Sequence, residues 1–155
     1  MTDISVAAGQ SIHATSIVVG RTGLLFLGPS GSGKTGAAFA CLSEATALCW
    51  NAALIADDRT ILTVHAGRCI ASCPQSIKGF LELRGTGVIR FRQLDRAVMH
   101  CAVVMTEPSA ATRLPPESET FSCNGASMPL MRLWHDGAVS PLSCLRAANP
   151  ELFLG

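Results

Sequence analysis

The segment Gly28-Pro29-Ser30-Gly31-Ser32-Gly33-Lys34-Thr35 constrains the fold of this chain more than any other. It satisfies G-x-x-x-x-G-K-[ST] in full, and that pattern works only in one local setting. A buried strand has to end where the loop begins and a helix has to start where it finishes. Backbone N–H groups and the positive end of the helix dipole then converge on one point. Both flanks are present. Leu24 to Leu27 is a fully apolar run, and Lys34 to Leu48 carries Ala, Phe39, Leu42 and Ala45 at helical spacing. The loop predicts nucleotide phosphate binding, with Lys34 reaching the β- and γ-phosphates and the Thr35 hydroxyl ligating Mg²⁺. Lysine is otherwise scarce, Lys78 being the only other one in the chain.

Around the loop the pattern alternates between strands and helices. Ser11 to Val19 is β-branched and alternating, and a Gly20-Arg21-Thr22-Gly23 turn joins it to Leu24–Leu27 as a hairpin. Ala53 to Ala56 is a short apolar strand, and Thr60 to His65 with Arg68 to Ser72 reads as a second hairpin. Gln75 to Leu83 fits either a helical turn or a loop, interrupted by Gly85 and Gly87. Val88 to Phe91 and Ala97 to Met105 read as strands. Thr106 to Pro129, rich in Pro, Ser, Glu and Thr, reads as one long loop. Leu130 to Trp134 reads as a last strand, and Ser140-Pro141 opens a closing helix. The expectation is one α/β domain over residues 1–155, a P-loop domain with a mixed sheet.

Composition excludes several functions. With 155 residues a core needs no disulfide or metal staple. Twelve basic against eleven acidic residues, without a basic run, argue against electrostatic binding to nucleic acid or an anionic membrane. Apolar stretches such as Ser16 to Leu27 are broken by Gly20, Arg21 and Gly23, too soon for a membrane span. Seven cysteines without a Cys-x-x-Cys pair, behind a start lacking a basic and an apolar leader region, predict a reducing cytoplasm. Cys41, Cys49, Cys101 and Cys144 sit among Ala, Leu and Val and read as small core hydrophobes. An apolar fraction of 48% beside only 15% charged residues predicts burial of surface against further copies of the chain.

A phosphate loop fixes a nucleotide but not a reaction. The run Ala53-Leu54-Ile55-Ala56 leading into Asp57-Asp58 has the form of a carboxylate-bearing strand beside such a loop. One aspartate can face the metal while the other takes a proton from an incoming hydroxyl, and spacing alone does not say which. Val103 to Glu107 is a weaker rival for the metal strand. GTPases are disfavoured, since neither N-K-x-D nor D-x-x-G occurs, and so are transporter ATPases, whose Leu-Ser-Gly-Gly-Gln signature is missing. The Arg-rich lid of small-metabolite kinases has one candidate, the segment around Arg113.

Where Asp57-Asp58 is followed by Glu82-Leu83-Arg84-Gly85-Thr86-Gly87-Val88-Ile89, the sequence resembles the catalytic domain of HPr kinase/phosphorylase, a bacterial P-loop enzyme. The likeness runs in order from His13 through the loop, Asp58 and the Glu82 to Gly87 segment to Arg113-Leu114. It implies the fold of that kinase and of phosphoenolpyruvate carboxykinases. It also implies ATP and Mg²⁺ as cofactors and phosphoryl transfer to a serine of HPr, the phosphocarrier of the sugar phosphotransferase system, or of its nitrogen-branch relative. By the same resemblance Asp58 is the general base, Lys34 stabilises the transferred group, Thr35 and Glu82 hold Mg²⁺, His13 approaches the phosphates and Arg113 closes over the site. The assembly implied is a hexamer.

Four departures qualify the likeness. Ala14 stands where a glycine usually follows the histidine, and Thr86 replaces an apolar residue. The Pro- and Gly-Arg-rich segment used for phosphorolysis has no counterpart, so the kinase activity is implied more firmly than the phosphorylase activity. The N-terminal domain of full-length members has no counterpart either, as in short proteobacterial forms. Two other readings stay open from the residues: a small-molecule or carboxykinase-like enzyme, and a non-catalytic regulator that senses ATP.

Overall fold

The computed structural model describes residues 3–74, 79–107, 119–135 and 137–154. Its centre is a ten-stranded mixed sheet. Strands β1 (Ile4–Val6), β2 (Ser11–Val19), β3 (Thr22–Leu27), β4 (Ala52–Ala56), β5 (Arg59–His65) and β6 (Arg68–Ser72) fall in the first half of the chain. They are followed by β7 (Phe80–Leu83), β8 (Gly87–Arg90), β9 (Arg96–Val98), β10 (Cys101–Met105), β11 (Thr120–Cys123) and β12 (Ala126–Leu133). Helix α1 (Lys34–Ala47) comes directly after the loop, and α2 (Pro141–Ala148) with a 3₁₀ turn at Pro150–Phe153 ends the described chain. The sheet order is β1-β11-β12-β10-β3-β2-β5-β6-β9, with β4 also paired to β2. Strands β3, β10 and β12 run parallel, while β2 pairs antiparallel with β3, β4 and β5. Strands β7 and β8 form a separate antiparallel ribbon.

Strand β3 is apolar throughout because both of its faces are covered. Leu24 and Phe26 join one core with Ala37, Ala38, Cys41, Leu42 and Ala45 of α1, whereas Leu25 and Leu27 join a second core with Phe121, Cys123 and Met128. That is period-two alternation with an apolar residue on each side. The small α1 stripe lets the helix lie close to the sheet. Helix α2 is capped by Ser140, whose Oγ accepts from the Ser143 N–H. It is tied to α1 where the Ser140 and Ser143 hydroxyls donate to the Glu44 carboxylate.

Several sequence expectations change. The single strand expected over Ala97–Met105 is two, because β9 pairs with β6 and β10 with β3. His100 makes the corner between them: its N–H donates to the Gly23 carbonyl and its Nδ1 accepts from the Gly23 N–H. The long loop expected from Thr106 to Pro129 contains a hairpin, β11–β12, turned at Asn124 (φ 44) and Gly125 (φ 84). Asn-Gly between paired strands is a strong short-range hairpin signal, outweighed here by polar composition on both sides. Of the ambiguous Gln75 to Leu83 stretch, residues 75–78 lie outside the described residues, and Phe80–Leu83 is a strand rather than a helical turn or loop. Cys49 is exposed, in a left-handed conformation past the end of α1, and not a core residue; Cys144 is half-buried, and Cys41 and Cys101 are buried as expected. No described helix is long and apolar enough to cross a membrane.

Candidate active site

The loop leaves β3 at Leu27 and enters α1 at Lys34, the strand-to-helix passage its motif demands. Gly33 caps the helix at φ 94 without a side-chain hydrogen bond, and the first turn carries no acidic residue. The orphan N–H groups of that turn are therefore left for an anion. Gly28 is required by space: a Cβ there would lie 2.5 Å from the Ser32 Oγ, itself buried without a hydrogen-bond partner. A cleft of about 640 Å³ opens in front of the loop. Ser30, Lys34 and Thr35 line it from one side, Asp57 and Asp58 from a second, and Glu82, Leu83, Arg84 and Thr86 from the β7–β8 ribbon.

The two aspartates divide the loop between them. Thr35 Oγ1 donates to Asp57 Oδ1 at 2.7 Å, while Lys34 Nζ meets Asp58 Oδ1 at 2.5 Å. Lys34 is almost wholly buried, and Asp58 is half exposed. The Lys34 hydrogen bond holds the Asp58 carboxyl below its ordinary range, with burial opposing and Ser30 and the charge of His13 assisting. Asp58 sits at φ 64, a left-handed conformation that costs a non-glycine residue.

Thr15 holds this turn, and no sequence motif marks it. It is fully buried on β2; its Oγ1 donates to Asp57 Oδ1 at 2.9 Å and accepts from the Asp58 N–H at 3.1 Å. The Asp57 Oδ2 accepts in turn from the Glu82 N–H at 3.1 Å. The available signal was a run of hydroxyls, Thr15-Ser16, inside an otherwise buried strand, since buried polar groups need partners. Strand β4 brings the pair in from an unexpected place. It pairs with β2, not with β3, and reaches the loop from one strand further out. Its register slips between Ser16 and Ile17, so β4 carries an extra residue at Ile55, a bulge that re-aims Asp57 and Asp58 beyond it. The rival strand, β10, is the direct neighbour of β3, but Glu107 does not line the cleft.

The other expected residues divide. Glu82 lines the cleft beside Asp57, and Arg84 comes within 3.5 Å of where a Cβ on Gly31 would stand, so its guanidinium overhangs the loop. Gly85 and Gly87 turn the ribbon at positive φ. His13 is exposed on β2 opposite Arg59, close enough to bias Asp58 electrostatically, yet it is not part of the cleft lining. Arg113 and Leu114 lie outside the described residues.

Comparison with known proteins speaks to the family and the fold. The family described as HPr Serine kinase C-terminal domain matches residues 5–100. The HPr kinase/phosphorylase of Xylella fastidiosa (strain M12) is 28% identical over 142 residues, covering 83% of this chain and 43% of the relative. That of Stenotrophomonas maltophilia (strain K279a) is 29% identical over 136 residues, covering 79% and 41%. The chain thus spans less than half the length of these relatives. The solved Hpr(Ser) kinase/phosphatase from Coxiella burnetii has the same fold, with a TM-score of 0.76 at 21% identity and 93% of each chain covered.

Proposed function

The chain belongs to the family of HPr serine kinase C-terminal domains, and on that premise we propose that it transfers the γ-phosphoryl group of ATP to a serine hydroxyl of an HPr-like phosphocarrier protein. The observation that carries this reading is the Lys34–Asp58 contact at 2.5 Å. It puts the cation meant for the phosphates and the carboxylate meant for the seryl proton in one hydrogen bond. While they are joined, Lys34 keeps Asp58 ionised and weakly basic. Phosphates seated on the loop draw the ammonium away, and the carboxylate then gains basicity where a hydroxyl has to lose its proton. The base is thereby matched to an occupied site.

Thr35 and Asp57 would hold Mg²⁺, with Glu82 on the same rim. Hard oxygen donors joined at 2.7 Å suit that ion, which takes one or two carboxylates and completes its shell with phosphates and water. No three His, Cys, Asp or Glu side chains cluster as a metal cage among the described residues, and a nucleotide-borne ion needs none. When bound, the ion supplies charge neutralisation at the β- and γ-oxygens. Arg84 adds a second cation over the loop, and Thr15 keeps the two carboxylates turned to their separate partners.

The test is incubation of the full chain with ATP, Mg²⁺ and a purified HPr-like phosphocarrier, followed by mass spectrometry. Phosphoserine on the carrier is the expected product. ATP consumption without phosphoserine on any carrier supplied would overturn the protein-kinase reading. The low charged fraction further supports a homo-oligomer, and a monomer in light scattering at micromolar concentration would end that part of the proposal.

A further inference from the structure

A second cavity lies at the opposite end of the same strand and helix. Strand β3 leads away from it at Thr22 and reaches the loop at Leu27, a distance of about 17 Å at the usual strand rise. Helix α1 runs back from the loop and delivers Cys49, Trp50 and Asn51 to its wall. The cavity measures about 480 Å³, within the range of small-molecule sites. Val19, Trp50, Phe153 and Leu154 give it apolar and aromatic walls, with Trp50 packed 3.5 Å from where a Cβ on Gly20 would stand. Thr22 closes one side by donating to the Leu152 carbonyl at 2.5 Å.

The polar lining is one-sided in charge. Arg21, Asn51 and His100 line the cavity, and among the described residues no acidic one does. His100 accepts at Nδ1 from the Gly23 N–H at 2.9 Å, so its neutral ring carries the proton on Nε2 and offers a donor. Burial and the charge of Arg68 hold it below the ordinary histidine range, which keeps that tautomer at neutral pH. The Arg146 guanidinium sits 4.8 Å from the centre of the Trp50 ring without being part of the lining. Arg21 is thus the charged side chain of the described lining, with Arg146 held against the Trp50 ring, in a chain whose net charge is only +1. Glu151 lies on the terminal turn and not in the lining.

We propose that this cavity is a second ligand site, separate from the phosphate loop, that takes a small organic anion with a flat apolar body, the body against Trp50 and the anionic group on Arg21. The assignment stands independently of the kinase reading, because it uses none of the loop residues. Its chemistry is that of an amphipathic pocket: apolar area supplies attraction, and a few unpaired donors select the sign of charge.

The test uses the full chain with Trp134→Phe, which leaves Trp50 as the sole tryptophan. Phenylacetate, 2-phenylethanol and phenethylammonium, matched in shape but anionic, neutral and cationic, are titrated at neutral pH. Trp50 emission and its indole N–H resonance are followed. Phenylacetate is expected to saturate the response about tenfold more tightly than the alcohol, with the ammonium weakest, as a charge-assisted contact implies. Arg21→Gln, in an exposed turn, should abolish that preference and leave alcohol binding unchanged. Equal binding of acid and alcohol, an unaltered preference in Arg21→Gln, or no saturable response by either readout would each overturn the proposal.

Discussion

The phosphate loop and the Asp57-Asp58 turn face each other across one cleft and are held in opposite ways. The loop is held by its own backbone: Gly33 turns into α1 at φ 94, Gly28 leaves room for Ser32, and β3 and α1 continue directly from its ends. Residues remote in sequence hold the turn. Thr15, 42 positions from Asp57, and Lys34 and Thr35, 24 and 22 positions from their partners, fix where each carboxylate points. A motif confined to eight residues tolerates changes elsewhere in the sheet, whereas a turn positioned by three distant side chains depends on each of them for its aim.

The sharpest way to break that contrast is Asp58→Asn. If Asp58 is the base, turnover should fall by about 10² to 10⁴ while ATP affinity holds, because Asn keeps the shape but accepts no proton. Measuring phosphoserine formation and nucleotide affinity on Asp58→Asn and Asp57→Asn together decides the roles. A clean turnover defect in Asp57→Asn, with weakened Mg²⁺–ATP binding in Asp58→Asn, would exchange them. Lys34→Ala comes next, with a loss of about 10² to 10³ in turnover, the usual cost of removing one preorganised transition-state donor. Half the wild-type rate in that variant would end the phosphate-loop reading. Its stability should change little, since Asp58 is left half exposed to water, whereas Asp58→Asn strands a buried ammonium and should lower the melting temperature more.

Thr15→Val tests the distant support itself. Loss of the hydroxyl should cost about 1–3 kcal/mol of stability by leaving partly buried partners unmet. By misaiming both carboxylates it should also lower turnover by about 10- to 100-fold, as loss of a supporting hydrogen bond does in other sites. Thr15→Ser should restore both, while a purely packing role would leave Ser as defective as Val. The smallest effect is in acid. Asp58 titrates below its ordinary 3.8 when folded, so the unfolded chain binds more protons in that range. The stabilisation from the pair is complete above pH ~4 and fades as pH falls through the lower folded value. Lys34→Ala should flatten that acid limb in melting curves, and an unchanged limb would remove the pair as its cause.

The split between local and distant support is also the split between what could be read from the sequence and what could not. The loop, its strand and its helix were legible because each is specified within a few residues, by glycine positions and by hydrophobic period. Asp57-Asp58 was legible as a pair, and the family resemblance named Asp58, but its partners were not: nothing local says that Thr15 donates to one aspartate and accepts from the other. The β11–β12 hairpin was hidden because polar composition over Thr106–Pro129 outweighed the Asn124-Gly125 turn. The break between β9 and β10 was hidden because a change of pairing partner leaves no trace in the period.

By itself the sequence determined a strand–loop–helix phosphate site, an α/β class with a mixed sheet, and the ordered residues that placed the chain beside its family. Backbone conformation and side-chain period act over neighbours, and neighbours are what a sequence displays. Only the tertiary structure decided that β4 approaches through β2 and not beside β3, that a bulge at Ile55 aims the aspartates, and that Lys34 meets Asp58 while Thr35 meets Asp57. It also decided that Arg21, Trp50 and His100, from three separate turns, share one cavity. Those relations depend on strand order and register, which are fixed when two cores close on both faces of the sheet at once.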